Sequence, residues 1–288
     1  MRVIPKPLQT AKDVYLSCVN SIRNEDLKSR LNSVESLMLE AAADYDEKAQ
    51  ANSLFIIKPD NSENEEVILG AVKKQELLNL YSNQMVPKSK KARSVYDKLM
   101  IAAPNGRCPT CGFGQVDTLD HYLPKAKFPL LSVLPLNLSP ACSVCNKGKL
   151  TEFATIVEEQ SLHPYFDHGA FISDQWIYAS LEELPPVTIR YYVKPPDDWD
   201  EVSKHRVKAH FGCFQLSKRF SAEASNELAS LSLMLNTYFN DADIEEVRIY
   251  LNKIATNEFN LHKNSWKTAM YQALAANDWY YEVGYKLK

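Results

Sequence analysis

Apolar positions recur at helical spacing through residues 8 to 50, as in Leu27, Leu31, Val34 and Met38, with Asn24 placed to cap the run and charged residues between. Two helices are predicted there. Lys58 to Glu65 (KPDNSENE) is turn-like in composition, and Glu66 to Met85 returns to a mixed helical pattern. Pro87 and three lysines between Val86 and Lys91 mark a hinge, and a short helix through Val95, Tyr96, Leu99 and Met100 is stopped by Pro104-Asn105-Gly106.

From Arg107 to about Asp167 the chain is rich in Cys, Pro, Gly and Asn, with little helical periodicity before Cys142. Val187 to Val193 (VTIRYYV) reads as a strand, and Pro195-Pro196-Asp197-Asp198 turns into a helix from Trp199. Ser221 to Phe239, Asp243 to Leu261 and Asn264 to about Tyr281 each carry apolar residues three and four apart, with Ser221, Asp243 and Asn264 as candidate caps. No internal repeat or low-complexity run is present. The pattern divides the chain into an N-terminal helical region (1–86), an irregular central module (87–170) and a mostly helical C-terminal region (171–288).

With 45% hydrophobic and 24% charged residues over 288 positions, the chain has the make-up of a globular protein rather than a disordered or fibrous one. A net charge of −3 gives no global attraction to nucleic acid or to an acidic membrane surface. No apolar stretch approaches the roughly 18 residues needed to span a bilayer, and the start MRVIPKPLQTAKD lacks an apolar signal core. A cytoplasmic protein without membrane contact is expected.

Six cysteines in so long a chain are too sparse for a disulfide scaffold. Four of them form two C-x-x-C pairs, Cys108 with Cys111 and Cys142 with Cys145, while Cys18 and Cys213 stand alone. Two such knuckles, separated by Gly112 to Ala141, can present four thiolates to one tetrahedral zinc ion. With four sulfur ligands no position is open for water, so the zinc would be structural. The alternative is a pair of buried or redox-active dithiols.

Between the knuckles runs Leu119-Asp120-His121-Tyr122-Leu123-Pro124, and the second knuckle lies in Pro135-Leu136-Asn137-Leu138-Ser139-Pro140-Ala141-Cys142-Ser143-Val144-Cys145-Asn146-Lys147-Gly148-Lys149. Cys108 to Lys149 resembles the HNH nucleases of the His-Me finger superfamily, whose zinc-supported members read C-x-x-C, D-H-x-x-P and N-L-x-x-x-C-x-x-C-[HN]-x-x-K. The resemblance implies a ββα-metal finger, so the fold class expected for the whole chain is α+β and mostly helical. It also implies that His121 is the general base, that Asp120 ligates a catalytic divalent cation, and that Asn137 orders the loop and orients His121. Asn146 stands where many members carry the last histidine, and its side-chain carbonyl suits a hard cation such as magnesium or manganese.

Adjacent residues of a strand point to opposite faces unless the strand ends or bulges, and Pro124 supports an ending here. His163, in His163-Pro164-Tyr165-Phe166-Asp167, is a further candidate, weighed equally as a functional and as a structural residue. Lys88 to Lys149 holds ten basic and three acidic residues, a local charge of +7 that leaves −10 for the rest of the chain. A basic module suits a phosphate backbone, with Arg107, Lys125, Lys127, Lys147 and Lys149 as candidate contacts. A solvated charged face is the plainer reading of Lys88 to Arg93.

His168, His205, His210 and His262 lack ligand spacing to the motif and read as structural. The aromatic set around Tyr191, Tyr192, Trp199, Trp266, Tyr271, Trp279, Tyr280 and Tyr281 suits core packing or a partner surface better than base stacking. The central HNH unit with a helical tail, including residues 211–219 and 264–274, is similar to the HNH subunits of Septu-type and retron-associated anti-phage systems. That likeness implies an ABC-type ATPase partner that restrains the nuclease and, in retrons, a reverse transcriptase with its DNA–RNA product. No P-loop occurs in the chain itself. The expected function is metal-dependent endonucleolytic cleavage of DNA or RNA; the alternative is a non-catalytic zinc-ribbon scaffold.

Overall fold

A computed structural model describes residues 1–149, 152–239 and 244–287, with the Lys149 side chain outside that description. The chain forms two compact units, Arg2–Asp167 and His168–Lys288 together with Met1.

The first unit opens with α1 (Ala11–Val19), α2 (Glu25–Ser33) and α3 (Glu35–Gln50). Asn24 caps α2 as expected, its side chain accepting from Leu27 N–H at 3.0 Å. Three helices stand where two were predicted because Val34, at φ −107° and ψ 9°, interrupts the backbone. Leu31, Val34 and Met38 nevertheless all remain buried, so the apolar period survives the break.

The mixed pattern of Glu66 to Met85 resolves into a hairpin, β1 (Val67–Leu69) and β2 (Val72–Lys73), then α4 (Lys74–Asn79) and a π-helical turn, Leu80–Met85. Gly70 makes the reversal at φ +56°, where a Cβ would stand 2.8 Å from Val34 Cγ1. Helix α5 (Arg93–Ile101) follows and ends at the 3-10 turn Pro104–Gly106.

Strands β3 (Thr118–His121) and β4 (Leu138–Ala141) pair antiparallel in unbroken register, and α6 (Ser143–Lys149) packs against β3. The hairpin is not a free-standing module. Leu119 and Leu138 join Val14, Cys18, Leu31, Leu77 and Met85 in one buried cluster, and each such leucine contributes about 1.5–3 kcal/mol on burial. The hinge expected near residue 86 therefore falls inside a continuous core. A second cluster packs Tyr45, Ala49 and Leu54 against Tyr122, Leu123, Phe128 and Leu131, fixing the β3–β4 loop on α3.

The second unit holds α7 (Ala170–Ser173), β5 (Ile177–Glu182), β6 (Thr188–Val193), α8 (Glu201–Cys213), α9 (Leu216–Tyr238), α10 (Ile244–Leu261), α11 (Trp266–Ala275) and α12 (Asp278–Glu282). The predicted strand is β6, and β5 is its antiparallel partner. Two expected caps act otherwise. Ser221 sits inside α9 and donates to Ile189 O at 2.7 Å, while Asn264 is buried and accepts from Trp176 N–H at 2.7 Å and Ile177 N–H at 3.2 Å.

Ser265 caps α11 instead, accepting from Thr268 N–H at 3.0 Å. The single helix expected from Asn264 to Tyr281 is two, because Asn277 starts α12 by accepting from Tyr280 N–H at 2.8 Å. Asp243 lies outside the described residues. Helices with small antiparallel sheets make this a mostly helical α+β protein. Among the described residues no helix is long and apolar enough to cross a membrane.

Candidate metal centre and catalytic hairpin

The two knuckles bring Cys108, Cys111, Cys142 and Cys145 together, all buried, with their sulfurs within 4.8 Å of one another. A zinc–sulfur bond of about 2.3 Å sets a tetrahedral edge of about 3.8 Å. Cys111 Sγ and Cys142 Sγ lie 3.9 Å apart. The first knuckle is closed by Gly112 N–H to Cys108 O at 2.8 Å and Cys108 N–H to Gly114 O at 2.7 Å. Gly114 N–H also donates to Cys111 Sγ at 3.3 Å, which supports a thiolate.

Mutual hydrogen bonding among the four buried sulfurs lowers the pKa of Cys111, to which Gly114 N–H also donates. A divalent cation at this cluster would deprotonate its thiol ligands outright. These four cysteines can therefore hold a metal such as zinc. Cys18 takes no part: burial pushes its thiol up to about 12 and leaves it inert. Gly114 escaped the sequence reading, yet a Cβ there would stand 2.8 Å from Cys142 Sγ and 3.3 Å from Cys111 Sγ. A glycine three residues after a knuckle cysteine was the available signal.

His121 is the last residue of β3, on the same strand face as buried Leu119, while Asp120 is half-buried on the opposite face. His121 keeps 9% of its surface exposed. Its Nε2–H donates to Ser132 O at 2.8 Å, because a carbonyl only accepts, so Nδ1 is the nitrogen that bears the lone pair whenever the ring is neutral. Ser132 is held in turn by its hydroxyl, which donates to Leu77 O of α4 at 2.8 Å. Tyr81, from the π-helical turn, sets its ring edge-on to the imidazole with centroids 4.5 Å apart. Ser132 and Tyr81 were not predicted. A lone polar residue inside the apolar run Leu130 to Leu134 marks Ser132, whereas nothing local marks Tyr81.

Asn137 has no exposed surface and ties the loop after His121. Its Oδ1 accepts from Leu123 N–H at 2.7 Å, and its Nδ2 donates to Leu123 O at 2.9 Å and Leu131 O at 3.2 Å. Asn146, half-buried on α6, follows Cys145 directly, so the cysteine cluster that anchors the start of α6 also sets the position of Asn146. Asp120 and Asn146 each offer a hard oxygen of the kind magnesium and manganese take, but among the described residues the ligand atoms that converge are those of the four cysteines.

His163 is 2% exposed and makes a structural set of contacts. Nδ1 accepts from Tyr165 N–H at 3.1 Å, so Nε2 carries the proton and donates to Tyr45 Oη at 3.0 Å. The other candidate cations lie on separate segments. Arg107 is exposed and donates to Phe113 O at 2.9 Å, Lys127 donates to Asn61 Oδ1 at 2.8 Å, Lys125 donates to Ser82 Oγ at 2.8 Å, and Lys147 is exposed on α6. The side chain of Lys149 lies outside the described residues.

The chain is similar to the protein Ea31 of Escherichia phage lambda, 29% identical over 291 residues that cover 96% of this chain and 98% of that protein. No family model matches, and no solved structure matches.

Proposed function

We propose that the chain is a metal-dependent phosphodiester hydrolase of the HNH type. The observation that carries this is the His121 imidazole, fixed as one tautomer by the Ser132 carbonyl at the end of a hairpin whose following helix is anchored by a four-cysteine centre. Nδ1 of His121 takes a proton from water as the oxygen attacks phosphorus, the bond from phosphorus to the leaving oxygen breaks, and that oxygen takes a proton from solvent. Asn137 holds the 122–137 loop so that the imidazole does not drift during proton transfer. Asp120 and Asn146 would hold magnesium or manganese, which stabilises negative charge on the phosphate when bound. Zinc at the four cysteines supports the fold and takes no chemical part.

The test is cleavage of labelled DNA and RNA with magnesium or with chelator, comparing wild type with His121→Ala. Cleavage falls at least a thousandfold in the variant, a loss of about 4 kcal/mol of transition-state stabilisation. Removing the buried ring beside Tyr81 costs about 1–3 kcal/mol, so activity is compared well below the melting temperature of the variant. Equal cleavage by both proteins defeats the proposal.

A second reading, the non-catalytic zinc-ribbon scaffold, draws on the 9% exposure of His121, and metal-independent binding without cleavage would favour it. The partner proposal belongs to unit His168–Lys288, where Leu233, Tyr238 and Leu261 are more than 70% exposed. An ABC-type ATPase, with a retron reverse transcriptase and its DNA–RNA product where one is encoded nearby, would co-purify with the full chain and be lost with charged substitutions at Leu233 and Leu261.

A further inference from the structure

The turn that presents Tyr81 to His121 also holds a cation. In Leu80–Met85 the closing bond runs from Val86 N–H to Tyr81 O at 3.0 Å, five residues apart. Such π-turns rotate side chains out of helical register and recur at functional positions. Two consecutive residues are displayed in different ways. Tyr81 is buried and meets the imidazole, with ring centroids 4.5 Å apart. Ser82 is exposed, and its Oγ accepts from Lys125 Nζ at 2.8 Å. The Lys125 ammonium also lies 5.0 Å from the centroid of the Tyr81 ring, so one aromatic side chain touches both the imidazole and the ammonium.

Among the described residues no carboxylate pairs with Lys125, in contrast to Lys73, Lys74 and Arg93, which face Glu65, Asp60 and Asp97. Burial lowers the pKa of Lys125, the mark of an ammonium that has given up water without gaining an acid. Such a group is short of negative charge, and its hydroxyl tether leaves it the capacity to donate two further hydrogen bonds.

We propose that Lys125, tethered by Ser82 and spaced from His121 by the Tyr81 ring, binds a phosphate of the nucleic-acid strand whose phosphodiester lies at His121. This role rests on the phosphodiester hydrolysis proposed above and names a substrate contact of that same site. Lys125 is a substrate-binding residue, and Ser82 and Tyr81 are positioning residues. The chemistry recognised is the phosphodiester backbone, which DNA and RNA share.

The experiment uses the full zinc-loaded chain carrying His121→Ala, which binds without cutting, and measures affinity for a DNA duplex and an RNA of the same sequence across a salt series. In the better-bound of the two, Lys125→Met weakens binding about three- to tenfold and lowers the slope of log affinity against log salt by about one. Lys125→Arg restores most of the affinity. Ser82→Ala, at an exposed position that leaves the core intact, weakens binding about two- to threefold, as expected for loss of a positioning hydrogen bond.

Lys125→Met binding with unchanged affinity and unchanged slope overturns the proposal, as does an effect of equal size from Lys147→Met alone. In the cleaving chain Lys125→Met raises KM more than it lowers kcat. Were the wild-type chain to cleave nothing while binding still depended on Lys125, the hydrolase function would fall and the phosphate contact would stand.

Discussion

Asn137 makes three hydrogen bonds from a side chain with no exposed surface, which sets its worth well above that of an ordinary loop asparagine. Asn137→Ala would strand the Leu123 N–H and O groups in the interior, and each unsatisfied buried group costs about 1–3 kcal/mol. A melting shift equivalent to about 3 kcal/mol is expected, read by denaturant unfolding, with Asn137→Asp no better because a carboxylate meets the Leu123 and Leu131 carbonyls. A loss below about 1 kcal/mol would show that the loop holds itself. His121, Asp120, Asn137 and the cysteines were legible in the sequence as candidates because their order and spacing are local, and of these the structure brings the four cysteines together. Ser132, Tyr81 and Ser82 were not legible, because each acts on a residue 11 to 43 positions away. His163 lies beyond the motif, with both ring nitrogens hydrogen-bonded within the fold, Nε2 to Tyr45 Oη and Nδ1 from Tyr165 N–H.

At the scale of elements, apolar period was the dependable signal and backbone interruptions were not. Val34 splits one predicted helix into α2 and α3 without disturbing the buried stripe, since a break at an apolar position leaves the side-chain sequence unchanged. Within the mixed helical stretch Glu66 to Met85, α4 and the π-turn follow the expected pattern, while the β1–β2 hairpin escapes it because two- and three-residue strands are too short to show alternation. Beside the apolar contact through Leu31 and Leu77, an ion pair ties α2 to α4, with Arg30 donating to both oxygens of Glu76 at 2.7 Å while Lys73 N–H donates to Glu76 Oε2 at 2.8 Å. The Arg30 fork lowers the pKa of Glu76 below that of an ordinary carboxylate, with the Lys73 N–H helping and burial opposing. A depressed folded-state pKa gives stability that is present above the unfolded carboxylate pKa and lost as pH falls through the folded one. Glu76→Gln should therefore melt lower than wild type at pH 7, and the gap should close as pH falls to about 4 and below. A gap that persists unchanged in acid would assign the stability to packing instead.

At the scale of the whole molecule the metal centre and the apolar core divide the work of the first unit. The hairpin's inner face is held by Leu119 and Leu138 against N-terminal helices, while α6 and the knuckles depend on the four sulfurs. Removal of zinc by a strong chelator should release hydrogen-exchange protection across residues 104–121 and 138–149 first, with α9 and α11 retaining theirs, because the free energy of zinc binding is free energy of local folding. Protection unchanged on chelation would mean that the cysteine cluster needs no ion. Binding should also weaken as pH falls, since protons compete for the thiolates.

Sequence by itself determined the four cysteines that converge, the capping Asn24 and a mostly helical α+β class, all carried by spacing over short stretches of chain. Only the tertiary structure decided that residues 2–167 form one unit, that the Ser132 carbonyl accepts from His121 Nε2, and that a π-turn sets Tyr81 against the imidazole and within reach of the Lys125 ammonium. The physical reason is that spacing records which side chains leave one face of one element. Which distant backbone carbonyl or ring completes a site depends on how elements pack, and a short-range pattern carries no trace of that.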